Sequence, residues 1–90
     1  MQETKTMGKE VFEITEEKTP GSVKFIIKGR LNAVNADEFQ EKLQKALNEG
    51  HKDIVLDMYR VDFLSSAGIR VILKIYQEAH KSGGKIGIFI

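Results

Sequence analysis

The chain reads as a small α/β domain, a mixed four-stranded sheet in the order β-β-α-β-α-β with both helices on one face. Three observations predict this. Val23, Phe25 and Ile27 alternate with Ser22, Lys24, Ile26 and Lys28, the period of a strand. Ile54 to Leu56 is an unbroken apolar run between polar neighbours, as in a buried strand. Two stretches with apolar residues at helical spacing flank that run. Right-handed crossovers between parallel strands then put both helices on the same face of the sheet.

Each element has its own signal. Val11, Phe12 and Ile14 predict a first strand. Glu16 to Gly21 reads as a turn, marked most strongly by Pro20-Gly21, so the first two strands form a hairpin. Gly29 to Val34 reads as a loop. Asn35 is placed to cap the first helix, with Glu38 three residues on, as in a capping box. Ala36, Phe39, Leu43, Ala46 and Leu47 share one face of that helix, while Asp37, Glu38, Glu41, Lys42 and Lys45 form its wet face. Asn48-Glu49-Gly50 ends it.

Asp53 to Met58 is the third strand. The second helix opens near Ser66 and carries Ile69, Ile72, Leu73 and Tyr76 on one stripe. Val71, Ile75 and Ala79 widen that stripe, which predicts a well-buried helix. Gly83-Gly84 stops it, and Lys85 to Ile90 is the last strand. That strand is apolar to its final residue, so its edge is expected to pair, either with elements downstream or in a homodimer.

Ninety residues make a single domain, expected over residues 10–90 behind a polar tail of residues 1–9. The net charge of +1 argues against direct nucleic-acid binding. There is no cysteine, which excludes disulfides and thiolate chemistry. No apolar run approaches the roughly 20 residues of a membrane span. A cytoplasmic location is expected, with no cofactor and no metal.

The candidate site lies where the third strand gives way to the second helix, at Ser65-Ser66-Ala67-Gly68. A helix N-terminus leaves N–H groups unsatisfied and carries partial positive charge. It suits a cap, an anion or an attached phosphate. The residues alone favour the cap. Arg70, four residues beyond Ser66, can face it along the helix. Asp57 and Asp62 could hold a cation but read better as shaping the turn before Phe63. A nucleophilic serine would need a base. His51 and His80 are both remote in the sequence from Ser66 and read as surface residues.

The arrangement resembles the STAS domain, the family of bacterial anti-sigma factor antagonists. The resemblance rests on Gly29 to Ala36, on Asp53 to Asp57, and on Val61 to Leu73, at matching spacings. In switching members the second helix opens with Asp-Ser-Ser-Gly or Asp-Ser-Ala-Gly, and the serine after the aspartate is phosphorylated. That serine corresponds to Ser66, with Ser65 as a second acceptor, and the aspartate itself corresponds to Ser65. The family loop Gly-x-Leu-Asp is here Gly29-Arg30-Leu31-Asn32.

The resemblance implies a non-enzymatic module that binds an anti-sigma factor, itself a serine kinase, and is switched off by phosphorylation. A cognate protein phosphatase would restore it. Asn32, Ala33, Asn35, Ser65, Ser66, Gly68 and Arg70 would form the partner surface. It also implies a further helix, strand and helix after the last strand. A constitutive scaffold of the same fold, in a stress-signalling or transporter-associated complex, is the alternative. A small hydrolase using Ser66 is the third reading.

Overall fold

The alternation in the second strand sets the two faces of the sheet. In the computed structural model, which describes residues 12–90, β1 (Phe12–Thr19) and β2 (Ser22–Leu31) form an antiparallel hairpin. Val11 and the polar tail lie outside the described residues. The hairpin turns through Pro20 and Gly21, and Gly21 has φ +77°, a left-handed value that glycine adopts without strain. Then come α1 (Ala36–Asn48), β3 (Asp53–Leu64), α2 (Ser66–Lys81) and β4 (Lys85–Phe89). The strand order is β1-β2-β3-β4, with β2, β3 and β4 parallel. The expected mixed sheet and element order are therefore observed.

Register aligns the apolar residues in rows. Val23 sits beside Ile54 and Ile54 beside Ile86; Phe25 sits beside Leu56 and Leu56 beside Ile88. On this face the helices contribute Phe39, Leu43 and Ala46 from α1 and Val71 and Ile75 from α2. Phe25, Phe39, Ile27, Leu31, Leu43, Ile54, Leu56, Ile75 and Val23 are fully buried. Both helices thus cover one face. Each ends in a six-residue backbone motif: His51 N–H donates to Ala46 O and Gly50 N–H to Leu47 O, and Gly84 N–H donates to Ala79 O and Gly83 N–H to His80 O.

The turn expected over Glu16 to Gly21 narrows to Pro20-Gly21, because β1 stays paired with β2 through Thr19. Four further expectations need correction. First, β3 does not stop at Met58 but runs on to Leu64. It carries two register shifts against β2, opposite Ile26/Lys28 and Gly29/Arg30, each with one extra residue on β3. Polar residues hid this half because extra residues break the alternation. Asp57 therefore does not shape a turn before Phe63. Its carboxylate accepts from Tyr59 N–H at 3.2 Å, at the first shift, and lies 4.0 Å from Lys24 Nζ. Asp62 lies within the strand and is exposed.

Second, β2 extends through Leu31, so the loop is only Asn32 to Asn35. Third, Asn35 stands at the N-cap position but makes no side-chain cap hydrogen bond, so there is no capping box. Its side chain turns back into the loop, where two backbone groups compete for it successfully. Fourth, the buried stripe of α2 is Gly68, Val71, Ile75 and Ala79. Ile69, Leu73 and Tyr76 are exposed at 45%, 56% and 49%. Both stripes have helical spacing, and packing against α1 and the sheet decides which one is covered.

Candidate functional site

The site is built where β2 and β3 end side by side. Leu31 and Leu64 are register partners, and the chain leaves each strand at that level. After Leu31 the loop is closed by two asparagines. Asn32 Oδ1 accepts from Val34 N–H at 2.9 Å and from Asn35 N–H at 3.3 Å. Asn35 Oδ1 accepts from Asn32 N–H at 2.9 Å, and its Nδ2 donates to Arg30 O at 2.8 Å. An asparagine can both donate and accept, so the N–H groups of Asn32, Val34 and Asn35 are satisfied by side chains within the loop. The result is a hydrogen-bonded turn that leaves Val34 86% exposed.

After Leu64 the chain enters α2 through Ser65. Ser65 N–H donates to Leu31 O at 2.9 Å, which ties the helix start to the end of β2. Its Oγ accepts from Gly68 N–H at 3.3 Å. Ser65 is thus the N-cap, as the hydroxyl at this position should be. Ser66 is the first helical residue. It is exposed, and its hydroxyl makes no hydrogen bond among the described residues. The two serines divide the possibilities: one caps, the other is available.

Gly68 explains how the helix start comes so close. It is buried, and a Cβ there would stand 2.8 Å from Leu31 Cγ and 3.0 Å from Leu64 Cδ1. Only the smallest residue lets α2 rest on the ends of both strands.

Between the two helices a shallow groove of about 330 Å³ is lined by Ala33, Ala36, Asp37, Gln40, Ala67 and Arg70, with Val71 and Lys74 below. Ala33 and Arg70, both expected at the site, therefore meet in one groove. Arg70 is exposed and makes no hydrogen bond to Ser66. Asp37, Gln40 and Lys74 were not anticipated. The alanines at 33, 36 and 67 were the available signal, since small residues mark where helices approach.

Other chemistries find less support in the geometry. His80 lies fourteen residues along α2 from Ser66, about 20 Å at the helical rise. His51 precedes the start of β3, whereas Ser66 follows its end. No cluster of three or more His, Cys, Asp or Glu residues suited to a metal occurs among the described residues. No described helix is long and apolar enough to cross a membrane. A sheet covered on one face, a braced loop beside a helix start and an exposed hydroxyl there define a small α/β domain with its candidate site at a strand-to-helix junction.

The chain belongs to the STAS domain family, whose model matches residues 13–89. It is similar to the anti-sigma factor antagonist BtrV of Bordetella bronchiseptica, with 30% identity over 73 residues. That match takes in 81% of this chain and 63% of BtrV, so the chain spans less than two thirds of that relative. Among solved structures, an anti-sigma factor antagonist from Mycobacterium paratuberculosis superposes with a TM-score of 0.80 at 18% identity, covering 90% of this chain and 68% of that one. The phosphorylated form of the Bacillus cell fate determinant SpoIIAA superposes with a TM-score of 0.71 at 19% identity, covering 84% of this chain and 68% of that one. Both structures share the fold described above.

Proposed function

We propose that this domain is a cytoplasmic anti-sigma factor antagonist, a non-catalytic module that binds an anti-sigma factor and loses affinity when Ser66 is phosphorylated. The carrying observation is the division between the serines. Ser65 supplies the cap, so Ser66 can accept a phosphate without uncapping the helix. Membership of the STAS family and the likeness to BtrV support the reading.

The partner would combine anti-sigma and serine kinase activities and contact the loop Asn32–Asn35, the helix start and Arg70. A cognate phosphatase would reset the domain. Phosphorylation adds about −1.5 to −2 charges at the first turn of α2. In the free domain the helix N-terminus and Arg70 stabilise that charge. In a packed interface the same charge must be desolvated, so binding weakens; a coupling of about 1–3 kcal/mol is a 5–150-fold change in affinity. No change of fold is needed. The outer edge of β4 has no strand neighbour among the described residues, which leaves room for a second copy there.

Peptide mass spectrometry after incubation with ATP and each purified serine kinase of the source organism tests this. One added phosphate, mapped to Ser66 and absent from Ser66→Ala, is expected. Ser66→Asp should bind the kinase more weakly than Ser66→Ala. Equal affinities and no phosphate would favour the constitutive scaffold, for which the neutral Ser65 and Asn32 already speak.

A further inference from the structure

The groove between α1 and α2 has sides of opposite charge. Arg70 and Lys74 line it from α2 and Asp37 from α1, together with Ala33, Ala36 and Ala67. All three charged side chains are exposed, and none forms an ion pair among the described residues. Asp37 is nonetheless well placed. It lies in the first turn of α1, where the helix N-terminus carries partial positive charge.

Arg70 has no such compensation. It lies in the second turn of α2, nearer the positive end of that helix than the negative end, and no acid occupies the first turn. The neighbouring positions Ser65 and Asn32 are neutral. Arg70 is therefore a cation that an anion would stabilise, and two anions can reach it. One is a carboxylate from outside, entering the groove, since the planar guanidinium pairs with a carboxylate through two parallel hydrogen bonds. The other is a phosphate on Ser66. Ser66 and Arg70 are one turn apart, about 6 Å along the axis. A long helical side chain leans over the turn before its own Cα, which brings residue 70 back toward residue 66.

We infer that Arg70 is shared between these two anions: in the unmodified domain it receives, with Lys74, a carboxylate of the anti-sigma partner in the groove, and a phosphate on Ser66 competes for it within the same helix. This rests on the function proposed above and adds the partner's chemistry at the site and the means of its release. The internal competitor has the advantage of proximity, because its local concentration does not depend on the partner. Once Arg70 turns to the phosphate, the groove keeps Asp37 but only one of its two cations. The partner's carboxylate then meets more repulsion and less attraction. Lys74 cannot take the same part, since it lies eight residues from Ser66, about 12 Å along the axis.

The test uses the domain with phosphoserine installed genetically at position 66, beside the unmodified domain, each as wild type, Arg70→Gln, Arg70→Lys and Lys74→Gln. Thermal melts of the four unmodified proteins should agree, because residues 70 and 74 are exposed. Phosphorus NMR against pH reads the contact without any partner. The second pKa of the phosphate should lie roughly half a unit or more lower in wild type than in Arg70→Gln, and Lys74→Gln should match wild type. Calorimetric titration with each purified serine kinase of the source organism reads the competition. With a kinase that binds the unmodified wild type, Arg70→Gln should weaken the unmodified complex by about tenfold. The further loss on phosphorylation should be smaller in Arg70→Gln than in wild type by about threefold or more. Arg70→Lys should fall between the two, and Lys74→Gln should weaken binding yet keep the wild-type loss on phosphorylation. A phosphate pKa that Arg70→Gln leaves unmoved overturns the inference. So does a loss on phosphorylation that is equal, within about twofold, in wild type and Arg70→Gln; either result leaves the function standing. Absence of binding by unmodified wild type to every kinase overturns the function, and with it the partner's place on Arg70.

Discussion

Ser65 N–H donates to Leu31 O at 2.9 Å, so the first residue of the α2 cap is hydrogen-bonded to the last residue of β2. One bond thereby couples the two segments that flank the site. The loop Asn32–Asn35 begins immediately after Leu31, and Ser66 immediately after Ser65. Displacement of either strand end moves both.

Ser65 tests the cap. In Ser65→Ala the Gly68 N–H loses its acceptor, and stability should fall by about 1 kcal/mol, within the 0.5–2 range of cap removals. Ser65→Asp keeps an acceptor and adds negative charge at the positive end of the helix, so at neutral pH it should equal or exceed wild type, by about 0.3–1 kcal/mol. A carboxylate stabilised in the fold has a depressed pKa. Its contribution is present above the unfolded pKa and lost as pH falls through the folded one. The advantage of Ser65→Asp should therefore vanish in acid. Urea melts of the three proteins at neutral and acidic pH check both parts.

Asn35 tests the loop. Asn35→Ala removes an acceptor from Asn32 N–H and a donor from Arg30 O, both half-buried. A loss of about 1–3 kcal/mol is expected, from two hydrogen bonds whose partners keep some access to water. Amide exchange should quicken at Asn32, Val34 and Asn35 more than in the core strands. If the proposed function holds, affinity for the anti-sigma partner should fall, although the substitution leaves α2 untouched, because a mobile loop must be ordered again on binding.

Phe63 lies opposite Arg30 in the sheet, and the guanidinium stands 4.3 Å from the ring centre. Phe63→Leu keeps apolar area and discards the ring face. The expected loss is about 0.5–1 kcal/mol, since Phe63 is 41% exposed. It should shift the urea midpoint with the slope unchanged.

The fold was largely legible because its rows repeat a simple rule. Val23, Phe25 and Ile27 alternate, and their partners Ile54 and Leu56 sit in a run flanked by charge. The distal half of β3 was not legible. Its two extra residues shift the inward side chains out of alternation, so Tyr59 to Asp62 read as polar connection. Nor could periodicity choose between the two stripes of α2, since Ile69-Leu73-Tyr76 and Val71-Ile75-Ala79 are both at helical spacing. The site was legible as a place, a hydroxyl pair at a strand-to-helix junction. Its division of roles was not, because which serine caps depends on where Leu31 O lies. Asn35 shows the same limit: its side chain could cap α1 or bind Asn32 and Arg30, and only the position of β2 settles which.

Gly68 sets the strictest condition on the site. Alanine there would gain helix propensity, up to about 1 kcal/mol in an exposed helix. Against this, its Cβ would meet Leu31 Cγ at 2.8 Å and Cδ2 at 2.9 Å, and Leu64 Cδ1 at 3.0 Å. Leu31 is fully buried, and its Cγ is a branch point, so it cannot swing aside as a flexible tip could. The helix start or the end of β2 must shift instead, at about 1–3 kcal/mol for overpacking. Sterics should outweigh propensity, and Gly68→Ala should be destabilised. The shift acts directly across the Ser65–Leu31 bond, so chemical shifts of Asn32–Asn35 should change although none of them touches residue 68. A Gly68→Ala protein at least as stable as wild type, with an unmoved loop, would show that α2 does not bear on the strand ends as tightly as these distances require.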